Sequence, residues 1–388
     1  MSAMFDRFLK DPSAASCGCD DACCGAPASD SENGAGGIAA DVAARSPENY
    51  PWIVGKTATP VGDLPIVSTR LTRADRLGTW KARWGVGRMR YAVPPGLYAF
   101  GRPDPWSPVF VTANYKMSFD RLRAELSGRD GWILVLDTRG INVWCAAGKG
   151  TFGTDELVRR IEETGLARVI SHRTLILPQL GAPGVAAHDV AKRARFRVVY
   201  GPVRASDLPA FLDAGMTAAP GMRTVRFRFR DRIVLTPNEI TGVARHWIFL
   251  AVIAVWLVGR LVLGTTVVDA PAIVVAVLIG TIAVPALLPW IPGRAFAFKG
   301  WLLGLLWATV VCAVRHLPAS TVASWMAALS YILILPAVSA FMAMNFTGTS
   351  TITSLSGVVK EMKTAVPLMI VSAILGFAAL VTASLVRV

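Results

Sequence analysis

The segment Asn142-Val143-Trp144-Cys145-Ala146-Ala147-Gly148-Lys149 carries the residue best placed for chemistry, a lone cysteine just beyond a very apolar strand, Trp132–Asp137. Small residues follow it, and a helix is expected to begin near Thr154. In an open parallel sheet, ligands gather beyond the carboxyl ends of the strands, so Cys145 is placed to meet one. A thiolate there can serve as nucleophile, redox centre or metal ligand. A nucleophile needs an activating histidine. The candidates are His172 and His188, both read as structural, and His246 at the edge of the apolar region. A redox centre wants a second, resolving cysteine nearby, and none is present. Metal ligation survives, and one thiolate suits a single axial position on a macrocyclic cofactor.

Two nucleotide motifs fail on spacing. Gly148-Lys149-Gly150-Thr151-Phe152-Gly153 matches G-x-G-x-x-G, yet about ten residues separate it from the end of the preceding strand. The dinucleotide fingerprint needs its first glycine at the strand end, where pyrophosphate meets the helix N-terminus. A P-loop also fails, because Lys149 is followed by Gly150 and Val143 stands where its first glycine belongs.

Four more cysteines, Cys17, Cys19, Cys23 and Cys24, crowd into eight positions near the N-terminus. Their spacing lacks the paired C-x2-C knuckles of a zinc site. They read either as incidental thiols in a tail or as a clamp for a soft, thiophilic metal.

The surrounding elements alternate between strand and helix. Strands are expected at Pro108–Ala113, Gly131–Asp137, Arg168–Leu177 and Phe196–Tyr200, with an edge strand at Val225–Phe229. Helices are expected at Ser118–Leu126, Thr154–Thr164, Val185–Arg193 and Ser206–Ala214, the last with Ser206 as N-cap. Repeated βα units imply a mainly parallel α/β sandwich.

Composition divides the chain. Residues 1–50 hold three Lys/Arg against eight Asp/Glu, residues 51–245 hold 30 against 16, and the remainder holds seven against two. A basic middle region suits an anionic ligand, an acidic partner or an anionic lipid face. It carries no nucleic-acid module, so nucleic acid is not an expected partner. Met1–Lys10 is charged and no apolar stretch follows it, so no signal peptide is expected. The middle region then stays in the cytoplasm with its thiols reduced.

After Arg245 the chain becomes strongly apolar. Stretches long enough to cross a bilayer (~20 residues each) run over 246–264, 270–290, 300–316, 321–344 and 365–386. Arg245, Arg294 with Lys299, and Lys360 with Lys363 mark alternate ends, which places them in the cytoplasm and the C-terminus outside. The hydroxyl-rich stretch 345–357 reads as an ordinary loop rather than a re-entrant one. Cys312 and Met326, Met342, Met344 and Met369 read as packing. The expected organisation is a tail over 1–55, an α/β domain over 56–240 and five transmembrane helices over 241–388.

The segment Asn142–Lys149 resembles the signature of the mercury-methylating corrinoid proteins, and the resemblance extends over about 60–388. Val111-Thr112-Ala113-Asn114-Tyr115-Lys116 and Leu180-Gly-Ala-Pro-Gly184-Val-Ala-Ala-His188 are also similar to corrinoid-domain segments. More distantly, they resemble the large subunit of the corrinoid iron–sulfur protein. The resemblance implies a Rossmann-like corrinoid-binding domain followed by an all-α membrane domain of five helices. Cys145 would be the lower axial ligand of cobalt in a cobalamin or related corrinoid. Asn142, Val143, Trp144 and Lys149 would belong to a cap helix under the ring. Ala146, Ala147 and Gly148 would be small so that backbone and ring approach closely. Thr112 and Asn114 would lie near the reactive face, and Gly181, Gly184 and Gly201 would border the cofactor's nucleotide tail.

The implied activity is methyl transfer from methyl-cobalt to Hg(II), forming methylmercury. The implied partners are a ferredoxin-like iron–sulfur electron donor, a folate-linked methyl donor protein and membrane lipid. The cysteine-rich tail lies outside the family pattern and would collect Hg(II). Two other readings stay open: a membrane-anchored corrinoid methyl carrier of one-carbon metabolism, and a soft-metal membrane transporter. The second lacks the paired intramembrane charges that transport usually needs.

Overall fold

In the computed structural model, residues 50–245, 269–318, 320–346 and 355–386 are described, with isolated positions between 250 and 261. The chain divides into two compact units. One holds a seven-stranded sheet within residues up to Arg226; the other takes in Phe227–Val388 together with Arg83–Gly85.

The sheet unit starts with a hairpin, β1 (Ile53–Thr59) and β2 (Gly62–Val67), then α1 (Arg73–Arg83) and β3 (Gly96–Phe100). β4 (Val109–Ala113), α2 (Lys116–Glu125) and β5 (Gly131–Leu136) follow. Next come α3 (Val143–Gly148), α4 (Thr154–Glu163), α5 (Leu166–Val169), β6 (Thr174–Leu177), α6 (Ala187–Ala194), β7 (Arg197–Tyr200) and α7 (Leu208–Asp213). The strand order is β1-β2-β3-β5-β4-β6-β7.

The sheet is mainly parallel, as expected, with four parallel pairings and two antiparallel ones. β5, β4, β6 and β7 run parallel, whereas β1–β2 and β3–β5 are antiparallel. The connection from β3 to β4, residues 101–108, is too short for the helical crossover that a parallel return requires. Every residue of β4 and β5 is buried, because helices cover both faces. Val111, Leu134 and Leu177 pack on one face with Ala146, Phe152, Leu157 and Ile161. Phe110, Ile133 and Ile176 pack on the other with Phe119, Leu208 and Phe211.

Three expected elements differ. Arg168–Leu177 is not one strand: α5 ends at Val169, where Arg173 donates to the carbonyls of Ala167 and Ile170, and β6 begins at Thr174. Ser206 lies within a single 3-10 turn, Ala205–Asp207, and does not cap α7. Val225–Phe229 forms no strand. The Asp231 carboxylate accepts from the Arg228 N–H at 3.0 Å and turns the chain into a short helix, α8 (Phe229–Ile233).

The helical unit continues with α9 (Thr236–Arg245), α10 (Ala270–Leu287, with a π-helical stretch at Ile279–Ala283), α11 (Phe296–Val314), α12 (Val322–Asn345) and α13 (Leu355–Leu385). Four helices among the described residues are long and apolar enough to cross a membrane. The expected first span, 246–264, and the 345–357 loop fall largely outside the described residues, as do Cys17, Cys19, Cys23 and Cys24. The third expected span extends back to Phe296, where the Glu361 carboxylate accepts from the Ala297 N–H at 2.6 Å. Lys299 donates to the Leu288 carbonyl at 2.6 Å and Arg232 to that of Ala286 at 3.1 Å, covering the carbonyl end of α10. At the other end of α10, Asp269 pairs with Arg315 and accepts from Tyr331 at 3.1 Å. Charged groups thus sit at helix ends, where unpaired backbone dipoles need them. Gly300 lets α11 meet α12 closely, since a Cβ there would lie 2.6 Å from the Ser339 carbonyl oxygen. Cys312 is buried with its thiol toward the Ala328 carbonyl, in keeping with a packing role.

Candidate cofactor-binding site

The four parallel strands end at one edge of the sheet, and the segments that follow them carry the candidate residues. Asn114 follows β4, residues 137–149 follow β5, residues 178–184 follow β6, and Gly201 follows β7. This is the edge at which an α/β sheet gathers ligands.

Cys145 lies in the first turn of α3. Asn142 is the N-cap, and its side-chain oxygen accepts from the Cys145 N–H at 3.0 Å. The cap sets where the helix starts and therefore which way the thiol faces. Val143, Ala146 and Ala147 are buried, whereas Trp144, Cys145 and Lys149 are half-buried and Gly148 is exposed. At 100° per residue, the last four residues share the outward face of the helix. Cys145 carries a thiol rather than a disulfide, and a Cβ on Gly148 would meet nothing within 4 Å. The arrangement fits a flat, bulky group seated on one sulfur ligand. Among the described residues, no group of three or more His, Cys, Asp or Glu side chains is arranged to hold a metal ion by itself.

Packing inside the protein also calls for small residues at Ala146 and Ala147. Both turn inward, into the core with Phe152 and Val185. A Cβ on Gly184 would lie 2.2 Å from the Phe152 carbonyl oxygen and 3.0 Å from the Ala147 Cα, so the loop after β6 presses directly on α3. Gly181 is as tight, 2.5 Å from the Phe152 ring by the same measure. Gly184→Ala should therefore push α3 off the core. Backbone atoms cannot yield cheaply, so an overpacking cost of about 1–3 kcal/mol is expected. Faster hydrogen exchange over 143–153, with β5 unchanged, would report it.

Asn114 is the hub of the connection that leads to α3. Its side-chain oxygen accepts from the Thr138 N–H at 3.1 Å and the Gly140 N–H at 2.9 Å, and its amide donates to Asp137 at 3.1 Å. The Thr138 hydroxyl is shared between Asn114 and the Ile141 carbonyl. The loop turns through left-handed Arg139 and Gly140, with φ of 56° and 73°. Glu156 anchors the end of β5 by accepting from the Asp137 N–H at 2.7 Å, and is held in turn by Arg160 at 2.8 Å. Phe152, Thr138 and Glu156 were not singled out from sequence. An isolated apolar, hydroxyl or acidic residue carries no pattern that marks it as a support.

Thr112 is buried, and strand alternation puts it on the face of Phe110, opposite the face that carries α3. The structure does not bring it to Cys145. Gly201 donates to the Leu177 carbonyl at 2.8 Å and closes the edge beyond β6 and β7. His172 spends both ring nitrogens on backbone, bonding the Ser107 carbonyl at 2.9 Å and accepting from the Thr174 N–H at 3.2 Å. His188 is exposed beside Asp189. Gly148 ends α3 instead of leaving a strand, so the G-x-G-x-x-G run lacks the dinucleotide geometry.

Residues 87–212 match the family model described as CO dehydrogenase/acetyl-CoA synthase delta subunit. Curated relatives include the acetyl-CoA decarbonylase/synthase complex subunit gamma of Methanopyrus kandleri, 35% identical over 123 residues. The same-named subunits of Methanocaldococcus jannaschii and Archaeoglobus fulgidus are 35% identical over 128 residues and 32% over 123. The first of these alignments takes 31% of this chain and 26% of the relative, so the chain spans about a quarter of the length of the curated relatives it matches. The family match runs from before β3 to within α7 and contains every candidate residue from Thr112 to Gly201. The apolar helices lie outside it.

The cap makes one further prediction. Asn142→Ala should cost about 1 kcal/mol locally and loosen α3, whereas Asn142→Asp should restore most of that. Hydrogen exchange at 143–148 distinguishes the two.

Proposed function

We propose that the sheet unit binds a corrinoid held by the Cys145 thiolate on α3, and that the protein transfers a methyl group to Hg(II). The observation that carries the reading is the outward, half-buried Cys145 thiol, beside a glycine with open space, at the carboxyl edge of four parallel strands. The match of this same stretch to subunits of an acetyl-CoA-forming complex supports a one-carbon carrier.

When bound, the corrinoid supplies a cobalt-held methyl group. The Cys145 thiolate would hold the cobalt and donate more strongly than an imidazole, which would suit methyl transfer to a soft electrophile such as Hg(II). Asn142 orients the thiolate, and Trp144 and Lys149 flank it. Asn114 fixes the loop that delivers α3, while Gly181, Gly184 and Gly201, packed at the same edge, would border the cofactor's nucleotide tail. A ferredoxin-like iron–sulfur protein would restore the electrons, and a folate-linked protein would reload the methyl group. The helical unit would hold the protein in the cytoplasmic membrane with the sheet unit inside.

The relatives' names favour one alternative, a membrane-anchored methyl carrier that delivers to carbon chemistry rather than mercury. The first test is cofactor content. Full-length protein purified from corrinoid-supplied cells should carry about one corrinoid per chain. Protein that stays free of corrinoid under those conditions would contradict both readings.

A further inference from the structure

Helix α1 presents a surface that methyl transfer does not use. Asp75 and Ala82 are buried, and on the opposite side lie Arg73, Leu77 and Trp80, three residues on one stripe at helical spacing. Leu77 is 51% exposed and Trp80 57%. Arg76 and Lys81, both exposed, flank them. The segment after the helix continues the pattern with exposed Val86, Met89 and Arg90. From Arg70 to Arg90 there are seven Lys/Arg and one carboxylate, and that carboxylate, Asp75, is buried in ion pairs. A helix at an ordinary water-facing surface hides its tryptophan and leucine and shows its charges. Here both kinds of side chain face outward together.

We propose that α1 and the turn after it rest on the anionic headgroup surface of a bilayer. Trp80 and Leu77 enter the boundary with the acyl chains, and Arg76, Lys81 and Arg90 meet lipid phosphates. An apolar stripe edged with Arg and Lys is the composition of helices that lie in the membrane interface. One fact favours lipid over a protein partner: among the described residues, the same chain carries four helices long and apolar enough to cross a bilayer. The contact does not depend on the corrinoid reading.

The test uses the full chain in lipid nanodiscs containing a photoactivatable phosphatidylglycerol, or a photoactivatable phosphatidylcholine for comparison, with crosslinked peptides mapped by mass spectrometry. Peptides covering 73–90 should be labelled several-fold more by the anionic probe. Each cation at an anionic surface changes occupancy about fivefold, so Arg76→Gln with Lys81→Gln should remove most of that excess. Leu77→Ser with Trp80→Ser should lower labelling by both probes. Unchanged hydrogen exchange in β5 would show that the variants fold. Labelling confined to the apolar helices, or equal labelling of 73–90 by the two probes, would overturn the proposal.

Discussion

Cys145→Ala should abolish methylmercury formation, lowering it by more than about 100-fold, a larger loss than removal of a metal site's supporting residues usually brings. Cys145 is only half-buried, and the residues that α3 buries are Val143, Ala146 and Ala147. The sheet unit should therefore keep its fold, and hydrogen exchange in β4 and β5 should match the parent protein. The corrinoid absorption spectrum should change, because the sulfur ligand is lost. Cys145→His separates holding from driving. An imidazole can retain cobalt but donates less charge, so cofactor content should be kept while transfer is largely lost. Parent-like methylation by Cys145→Ala would remove the thiolate from the mechanism.

The largest expected effect on stability lies away from that site. Lys116, Arg123, Asp75 and Asp120 form a closed ion-pair network beneath the hairpin side of the sheet. Lys116 lies 2.7 Å from Asp75 and 2.6 Å from Asp120, and Arg123 lies 2.9 and 2.8 Å from the same two carboxylates. All four side chains are almost wholly buried, and the Lys116 ammonium also sits 4.4 Å from the Trp52 ring centroid. Two positive and two negative charges balance, which is why burial is tolerated. Lys116→Met leaves two carboxylates facing one guanidinium, and breaking such a pair costs about 3–5 kcal/mol. Against a total of about 5–15 kcal/mol for a typical domain, that removes a large share of the sheet unit's stability. Hydrogen exchange through β4 and β5 of the full chain would read the loss.

The same network predicts acid sensitivity. Burial alone would raise the Asp75 pKa. The hydrogen bonds from Lys116 and Thr72, with the Lys116 charge, outweigh it and hold the carboxyl well below the usual carboxylate range. Because the folded value is depressed, the stabilisation is fully present above the unfolded carboxylate value of about 4. It is lost as pH falls below that. Exchange protection in β4 and β5 should thus weaken on acidification below about pH 4, and an Asp75→Asn variant should show a flatter response.

What could be read from sequence follows from where signals are local. β4, β5, α4 and α6 were legible because continuous apolar runs and a clean helical stripe need no knowledge of neighbours. The segment Asn142–Lys149 stood out in the sequence because Cys145 stands alone among small residues. The antiparallel placement of β3 was not legible, since it depends on a short connection whose ends meet only in the folded sheet. The Val225–Phe229 alternation misled for a similar reason: a period of two forms a strand only where a partner edge exists, and Asp231 offers a helix instead. Which face Thr112 takes was not legible, because neighbours along a buried strand look alike in composition but point to opposite faces. The ion-pair network escaped notice because Asp75 and Lys116 are far apart in the chain. Gly184 was noted in a motif, but its pressure on Ala147 appears only when the loops after β5 and β6 are packed together.

The central claim is that Cys145 holds a corrinoid whose methyl group goes to mercury. The most direct measurement loads the purified full-length protein with a carbon-13 methyl group, adds Hg(II) in a single turnover, and quantifies labelled methylmercury. The account predicts nearly stoichiometric labelled product from the parent protein and almost none from Cys145→Ala reconstituted to equal corrinoid content. Loaded parent protein that keeps its methyl group in the presence of Hg(II), or equal yields from parent and variant, would contradict it.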